Sequence, residues 1–261
     1  MSSEESQDVL LLDKRGPVAE LTLNRPDKLN SFDGALRAAL RRMVGVVEDD
    51  DEIRVVILRG AGRGFCAGAD LSAGISDPIS FHLDQEYKPF MEGIAKSSKI
   101  WIGEIHGAAA GAGAALAMNC DLMVMAEDAY VYMAFAAIAL IPDAGNTRLL
   151  LEAMGYKRAL QAALEGRKIP AAECLEFGIC NKVVSAEALT EETRAWADRL
   201  AAGAPRSMAA AKRLFRSVGA MSFGDAITAE GLEQTPLLKS EDFQEGVRAF
   251  FAKEKPVFKG A

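Results

Sequence analysis

His106-Gly107-Ala108-Ala109-Ala110-Gly111-Ala112-Gly113, followed further on by Ile141-Pro142-Asp143-Ala144-Gly145, is the stretch whose reading decides this chain. Residues 100–105 enter it as an apolar strand, a Gly/Ala turn follows, and small residues continue as a helix. Backbone N–H groups at a helix start are unpaired donors, and side chains this small let a ligand reach them. Asp143 then stands alone in a Pro/Gly loop. The pattern reads as a backbone-amide site with one acid/base group nearby.

A second segment has the same build. Phe65-Cys66-Ala67-Gly68-Ala69-Asp70-Leu71 follows the short apolar run Val55-Val56-Ile57-Leu58, which is of buried-strand type. Two such turns together could aim two donors at one developing oxyanion. Gly and Ala also serve close helix–strand packing, and Asp143 could equally cap a helix starting near Asn146. On the residues alone both alternatives stay open.

Working outward, residues 9–12 and 18–23 form a hairpin around Gly16 and Pro17. Ser31 or Asp33 caps a helix whose apolar positions are Leu36, Leu40, Met43, Val44 and Val47. The acidic run 48–52 reads as a solvated loop, and 71–78 as a second loop. Residues 81–97 read as an amphipathic helix with Phe81, Phe90 and Ile94 inward. Helices are expected at 149–154 and 157–165, separated by Gly155, and at 171–177, with a strand over 179–184. From Ala188 onward the pattern is all-helical: 191–202, 205–218, 223–238 and 242–253. The expectation is an α/β core over 9–200 with a helical region over 201–261 that must bury its apolar face against something.

The 261 residues are half hydrophobic, enough for one large domain or a domain with a small appendage. A net charge of −7 with scattered basic residues excludes a nucleic-acid scaffold. Residues 1–8 are polar and acidic, expected to lack order, and have no signal-peptide character, so the expected location is cytoplasmic. The longest apolar stretch, 129–141, is too short to span a bilayer. Cys66, Cys120, Cys174 and Cys180 show neither metal-ligand spacing nor a disulfide framework and read as core thiols. No metal or resident cofactor is expected.

Asn24-Arg25-Pro26-Asp27-Lys28-Leu29-Asn30, residues 65–71, residues 107–121 and Pro142-Asp143-Ala144-Gly145, in this order and spacing, resemble the enoyl-CoA hydratase/isomerase (crotonase) superfamily. The resemblance extends to the C-terminus, Phe250-Phe251-Ala252-Lys253 through Pro256-Val257-Phe258-Lys259. It implies a spiral of ββα repeats, a C-terminal helical trimerisation region giving a homotrimer or dimer of trimers, and an acyl-CoA thioester as partner. CoA would enter as part of the substrate.

The same resemblance places the thioester oxygen between the amides of Ala69 and Ala112, the latter where Gly is usual. Ala67, Gly68, Asp70, Leu71 and Gly111 would surround the bound thioester, with the carbonyls near Ala67 and Ala69 meeting the adenine. Lys28 and Leu29 would line the CoA mouth, and Phe250 and Lys253 would complete it from a neighbouring subunit. Phe135, Ile138, Leu140 and Ile141 would form an apolar wall around Asp143.

Hydratases of this superfamily use two glutamates; Ala115 and Phe135 stand at the matching positions, which argues against hydration. The branch that moves double bonds, including 3,2-enoyl-CoA isomerases and the ring-opening isomerase of phenylacetate breakdown, carries one Asp or Glu at the position of Asp143. An isomerase with Asp143 as proton shuttle is therefore the favoured reading. The alternatives are another crotonase-fold reaction, hydratase-like or 4-chlorobenzoyl-CoA dehalogenase-like, and a CoA-thioester-binding protein without chemistry. Asp70, Asp121 and the methionines 118, 123, 125 and 133 read as structural, His106 as a strand-end residue, and His82 as part of a solvated face.

Overall fold

In the computed structural model, which describes residues 8–74 and 78–261, the chain opens as a hairpin. Leu10–Arg15 (β1) and Val18–Leu23 (β2) pair antiparallel in the register Leu10↔Leu23 to Arg15↔Val18, with Gly16 at φ 61° in the turn. The chain then crosses over repeatedly. Gly34–Asp49 (α1) leads to Val55–Gly60 (β3); helical residues 79–96 lead to Ile100–Ile105 (β4), Ala108–Ala110 (β5) and Ala112–Asn119 (α4). Leu122–Ala126 (β6) and Tyr130–Tyr132 (β7) follow, then Asn146–Glu165 (α5), Lys168–Pro170 (β8), Ala171–Glu176 (α6) and Lys182–Val184 (β9).

The main sheet has the order β1-β2-β3-β4-β6-β9, parallel from β2 onward; a small sheet of β5, β7 and β8 lies beside it. A parallel strand covered on both faces reads as a continuous apolar run rather than an alternation. Val55–Leu58 and all six residues of β4 are accordingly buried. Strands β5 to β8 were not expected, because runs of three to five residues have no period to read.

Local chemistry sets the helix ends. Asp33 caps α1 by accepting from Leu36 N at 2.8 Å, and Gly155 (φ 73°, ψ 166°) breaks α5 into two segments, of which the first starts at Asn146, earlier than its apolar period suggested. The helices Leu189–Ala201 (α7), Pro205–Val218 (α8), Phe223–Leu237 (α9) and Glu241–Ala252 (α10) complete the chain. No helix among the described residues is long and apolar enough to cross a membrane.

Several expectations are corrected. Phe81 is 65% exposed while Tyr87 is buried with Phe90 and Ile94. The helical run 79–96 contains a π turn at Leu83–Tyr87, whose extra residue rotates the preceding positions off the inward face. The acidic run is not a plain loop: Glu48 and Asp49 end α1, Glu48 accepts from Ser97 Oγ at 2.6 Å and Ser98 N, and Asp50 pairs with Lys14 at 2.7 Å. Only 182–184 of the predicted strand 179–184 pair; Asn181 instead clips Met123 through its N and Oδ1. Of the expected acidic tail only Asp8 is described, and its carbonyl accepts from Asn24 Nδ2; residues 75–77 of the 71–78 loop also lie outside the described residues.

All four cysteines are buried and free. Asp121 anchors α8: it accepts from Trp101 N and pairs with buried Lys212 at 2.8 Å and Arg216 at 2.9 Å. Beyond that anchor the C-terminal helices keep large apolar residues outside, with Phe215, Phe223, Phe250 and Phe251 all exposed.

Candidate active site

The two small-residue turns meet. Residues 65–66 pair with the β5 segment through Phe65 N to His106 O (2.9 Å), Cys66 N to Ala108 O (3.0 Å) and Ala110 N to Cys66 O (2.9 Å). On the other side, Phe32 N donates to Gly68 O at 2.7 Å and Asp70 N to Phe32 O at 3.0 Å. In extended backbone successive N–H groups alternate in direction, so Ala69 N points away from this pairing. It has no acceptor among the described residues.

Ala112 is the first residue of α4, so its N–H is one of the donors a helix leaves unpaired. The amides of Ala114 and Ala115 reach Gly111 O, whereas Ala112 N reaches no acceptor among the described residues. Gly111 takes φ 53° and ψ −127°, a conformation open only to glycine, while Ala112 itself keeps negative φ. Gly68, at φ 91°, makes the contact: a Cβ there would stand 2.8 Å from Ala110 O and 3.3 Å from Ala112 N. Bare α-carbons bring the two free amides to one place.

Asp143 faces the same place. Both amide residues and Asp143 line one cavity of about 280 Å³, together with Ala67, Asp70 and Gly111. Leu71, Phe135, Ile138 and Leu140 supply apolar wall, whereas Ile141 is largely exposed and does not join it. Burial pushes the Asp143 carboxyl above its usual range, opposed by a hydrogen bond from its own backbone N–H. Its carboxylate does not cap α5. The N-cap is Gly145, and Asn146 N bonds the main-chain carbonyl of Asp143 at 2.9 Å.

Fully buried Asn146 ties the pieces together, its Nδ2 donating to Gly111 O at 2.9 Å and to Asp143 O at 3.0 Å. One side chain thus links the amide-bearing turn to the carboxylate loop, which carries Ala144 at φ 52° and Gly145 at φ 101°. Its place immediately after Asp-Ala-Gly at the helix start was the available signal.

His82 was placed on a solvated face; instead its side chain is only 13% exposed and lines the cavity, with Nδ1 3.0 Å from Glu86 Oε1. Tyr87 is also on the wall, its hydroxyl held up to about 12 chiefly by burial. The i,i+4 spacing of His82 and Glu86 was legible; the π turn that aims them inward was not.

Other expected site residues lie elsewhere. Leu29 (φ 50°) accepts from Ala67 N through its carbonyl, and Lys28 beside it is exposed. Neither lines the cavity, and neither do Phe250 or Lys253 at the end of α10. Asp70, by contrast, is on the cavity wall, with its carboxylate held by Arg25 (3.2 Å) and Ser72. His106 Nε2 sits 2.9 Å from Gly62 O, off the cavity. Ala115, in α4, and Phe135 are both buried, and the Phe135 Cζ would lie 3.8 Å from a Cβ on Gly111.

Comparisons with known proteins identify the family. Residues 13–261 match the family model described as enoyl-CoA hydratase/isomerase. The chain is 38% identical to the 1,2-epoxyphenylacetyl-CoA isomerase of Escherichia coli K12 over 93% of its own length and 95% of the relative's. It is 34% identical to the carnitinyl-CoA dehydratase of Salmonella typhi, over 96% and 98%. The crystal structure of an enoyl-CoA hydratase from Bacillus anthracis superposes with a TM-score of 0.93 at 30% identity, covering 97% of this chain and all of that one. With a family match spanning nearly the whole sequence and the paired turns in place, the chain belongs to the enoyl-CoA hydratase/isomerase family and has the crotonase fold.

Proposed function

We propose that this member of the family is an acyl-CoA isomerase that shifts a double bond, with Asp143 as the proton shuttle. The observation that carries the reading is the partly buried Asp143 carboxylate sharing a cavity with two unpartnered amides; Ala115 and Phe135, at the positions where the resemblance puts the hydratase glutamates, support it. The relative's name, 1,2-epoxyphenylacetyl-CoA isomerase, supports it; other relatives are named as dehydratases and hydratases.

The chemistry follows from the parts. Asp143 removes a proton from carbon, and the released electron pair moves through the conjugated system onto the thioester oxygen. That oxyanion accepts hydrogen bonds from the N–H groups of Ala69 and Ala112, each worth about 3–4 kcal/mol in sites of this kind. The carboxylic acid then returns the proton two carbons away, and the thioester carbonyl re-forms. One acid/base group is enough because it is restored at the end, and its upward-shifted pKa suits it to both steps.

The exposed apolar faces of α8 to α10 are assigned to a homotrimer, with Phe250 and Lys253 lent to a neighbour's CoA mouth; light scattering on the purified protein tests this. The catalytic reading is tested by incubating wild type and Asp143→Asn with 3-enoyl-CoA, 2-enoyl-CoA and 4-chlorobenzoyl-CoA. Conversion of 3-enoyl-CoA that is lost in the variant is expected. Thioester binding without turnover, or full activity in the variant, would end this reading.

A further inference from the structure

Among the polar side chains on the cavity wall, some are already engaged. Arg37 donates to Glu86 Oε2 at 2.5 Å and to Phe32 O at 3.1 Å, and its guanidinium stands over the Tyr87 ring. Asp70 is held by Arg25 and Ser72. Three groups keep free capacity: the Asp143 carboxylate, already assigned to proton transfer, the Tyr87 hydroxyl, which can donate as well as accept, and His82.

The bonding of His82 decides what it can do. A carboxylate paired with arginine is ionised and can only accept hydrogen bonds. Glu86 is in that state, with Oε2 on Arg37 and Oε1 on His82 Nδ1. In the neutral form of the imidazole, the Nδ1 proton faces Glu86 Oε1 at 3.0 Å and Nε2 presents a lone pair. Tyr87 packs edge-on against the ring at 5.6 Å and holds its plane. Among the described residues, the polar partner of the His82 ring is Glu86, on Nδ1, and none bonds Nε2. A polar acceptor on a largely apolar wall costs free energy until a donor reaches it.

We infer that His82 Nε2 accepts a hydrogen bond from a hydroxyl on the acyl group, so that this cavity selects hydroxylated acyl-CoA thioesters over unsubstituted ones. Glu86 is the positioning residue that keeps Nε2 an acceptor. An ether oxygen, which can only accept, gains nothing there. The inference rests on the cavity being the acyl site, as in the proposed function, and it adds a substrate class to that site.

Equilibrium binding of saturated thioesters tests it without turnover. Cyclohexylacetyl-CoA, its 2-, 3- and 4-hydroxy derivatives and the matching methoxy derivatives are titrated at pH 8 into wild type, His82→Phe and Glu86→Gln, with folding checked by circular dichroism. Wild type should bind at least one hydroxy isomer about tenfold tighter than the unsubstituted ring, with no gain for methoxy. His82→Phe should lose that preference while still binding the unsubstituted thioester. Glu86→Gln, no longer fixing one tautomer, should narrow the gap between hydroxy and methoxy. Absence of any hydroxyl preference in wild type, or a preference unchanged in His82→Phe, overturns the inference. An active isomerase without the preference sinks the role of His82 alone. The preference without isomerisation sinks only the Asp143 reading, and failure of every thioester to bind sinks both.

Discussion

Asn146→Ala separates positioning from stability. The substitution removes two hydrogen bonds, from Nδ2 to Gly111 O and to Asp143 O. Neither acceptor is orphaned, because Gly111 O keeps Ala114 N and Ala115 N, and Asp143 O keeps the backbone N of residue 146. At about 1 kcal/mol per net hydrogen bond the loss is about 2 kcal/mol, partly offset by deleting Oδ1, which is buried without a partner among the described residues. A stability loss of about 1–2 kcal/mol is therefore expected from urea unfolding. The kinetic effect should be larger, since the tether sets the spacing between carboxylate and amides, and a displacement of about 1 Å can cost 10² in rate. Turnover of 3-enoyl-CoA should show kcat down by roughly that factor with KM nearly unchanged. A variant that loses the stability but keeps wild-type kcat would refute the reasoning.

Asp143→Asn should raise stability at neutral pH while abolishing turnover. A carboxyl whose folded pKa is raised contributes stability below its unfolded value and loses it as pH rises through the folded one, so charged Asp143 is a liability near pH 7. Thermal unfolding should show the variant's advantage at pH 7 fading below about pH 4; an advantage that persists there contradicts the burial argument. Gly68→Ala should cost at least about 1–3 kcal/mol and most of the activity, because its Cβ would sit 2.8 Å from Ala110 O at positive φ. Unchanged oxyanion-analogue binding would show that the two turns need not touch. Asp121→Asn leaves buried Lys212, whose pKa burial already lowers, without its carboxylate. A loss of about 3–5 kcal/mol in denaturant titration is expected, and a loss below 1 kcal/mol would mean α8 is held otherwise.

What the linear chain determined on its own is local. Gly16-Pro17 closes a hairpin, Asp33 caps α1, the apolar runs at 55–58 and 100–105 are buried strands, and Gly155 breaks α5, because each rests on neighbours within one turn or strand. The two Gly/Ala turns and the lone Asp143 were legible as candidates for the same reason: small side chains and an isolated carboxylate are visible one residue at a time. Their union was not. The contact of Gly68 with residues 110–112, the Asn146 bridge and the inward aim of His82 depend on where parallel crossovers and a π turn deliver segments far apart in sequence. Hydropathy periods carry no phase across such joins. Tertiary packing alone decided that two spare amides, the Asp143 carboxylate and the His82 imidazole share a cavity.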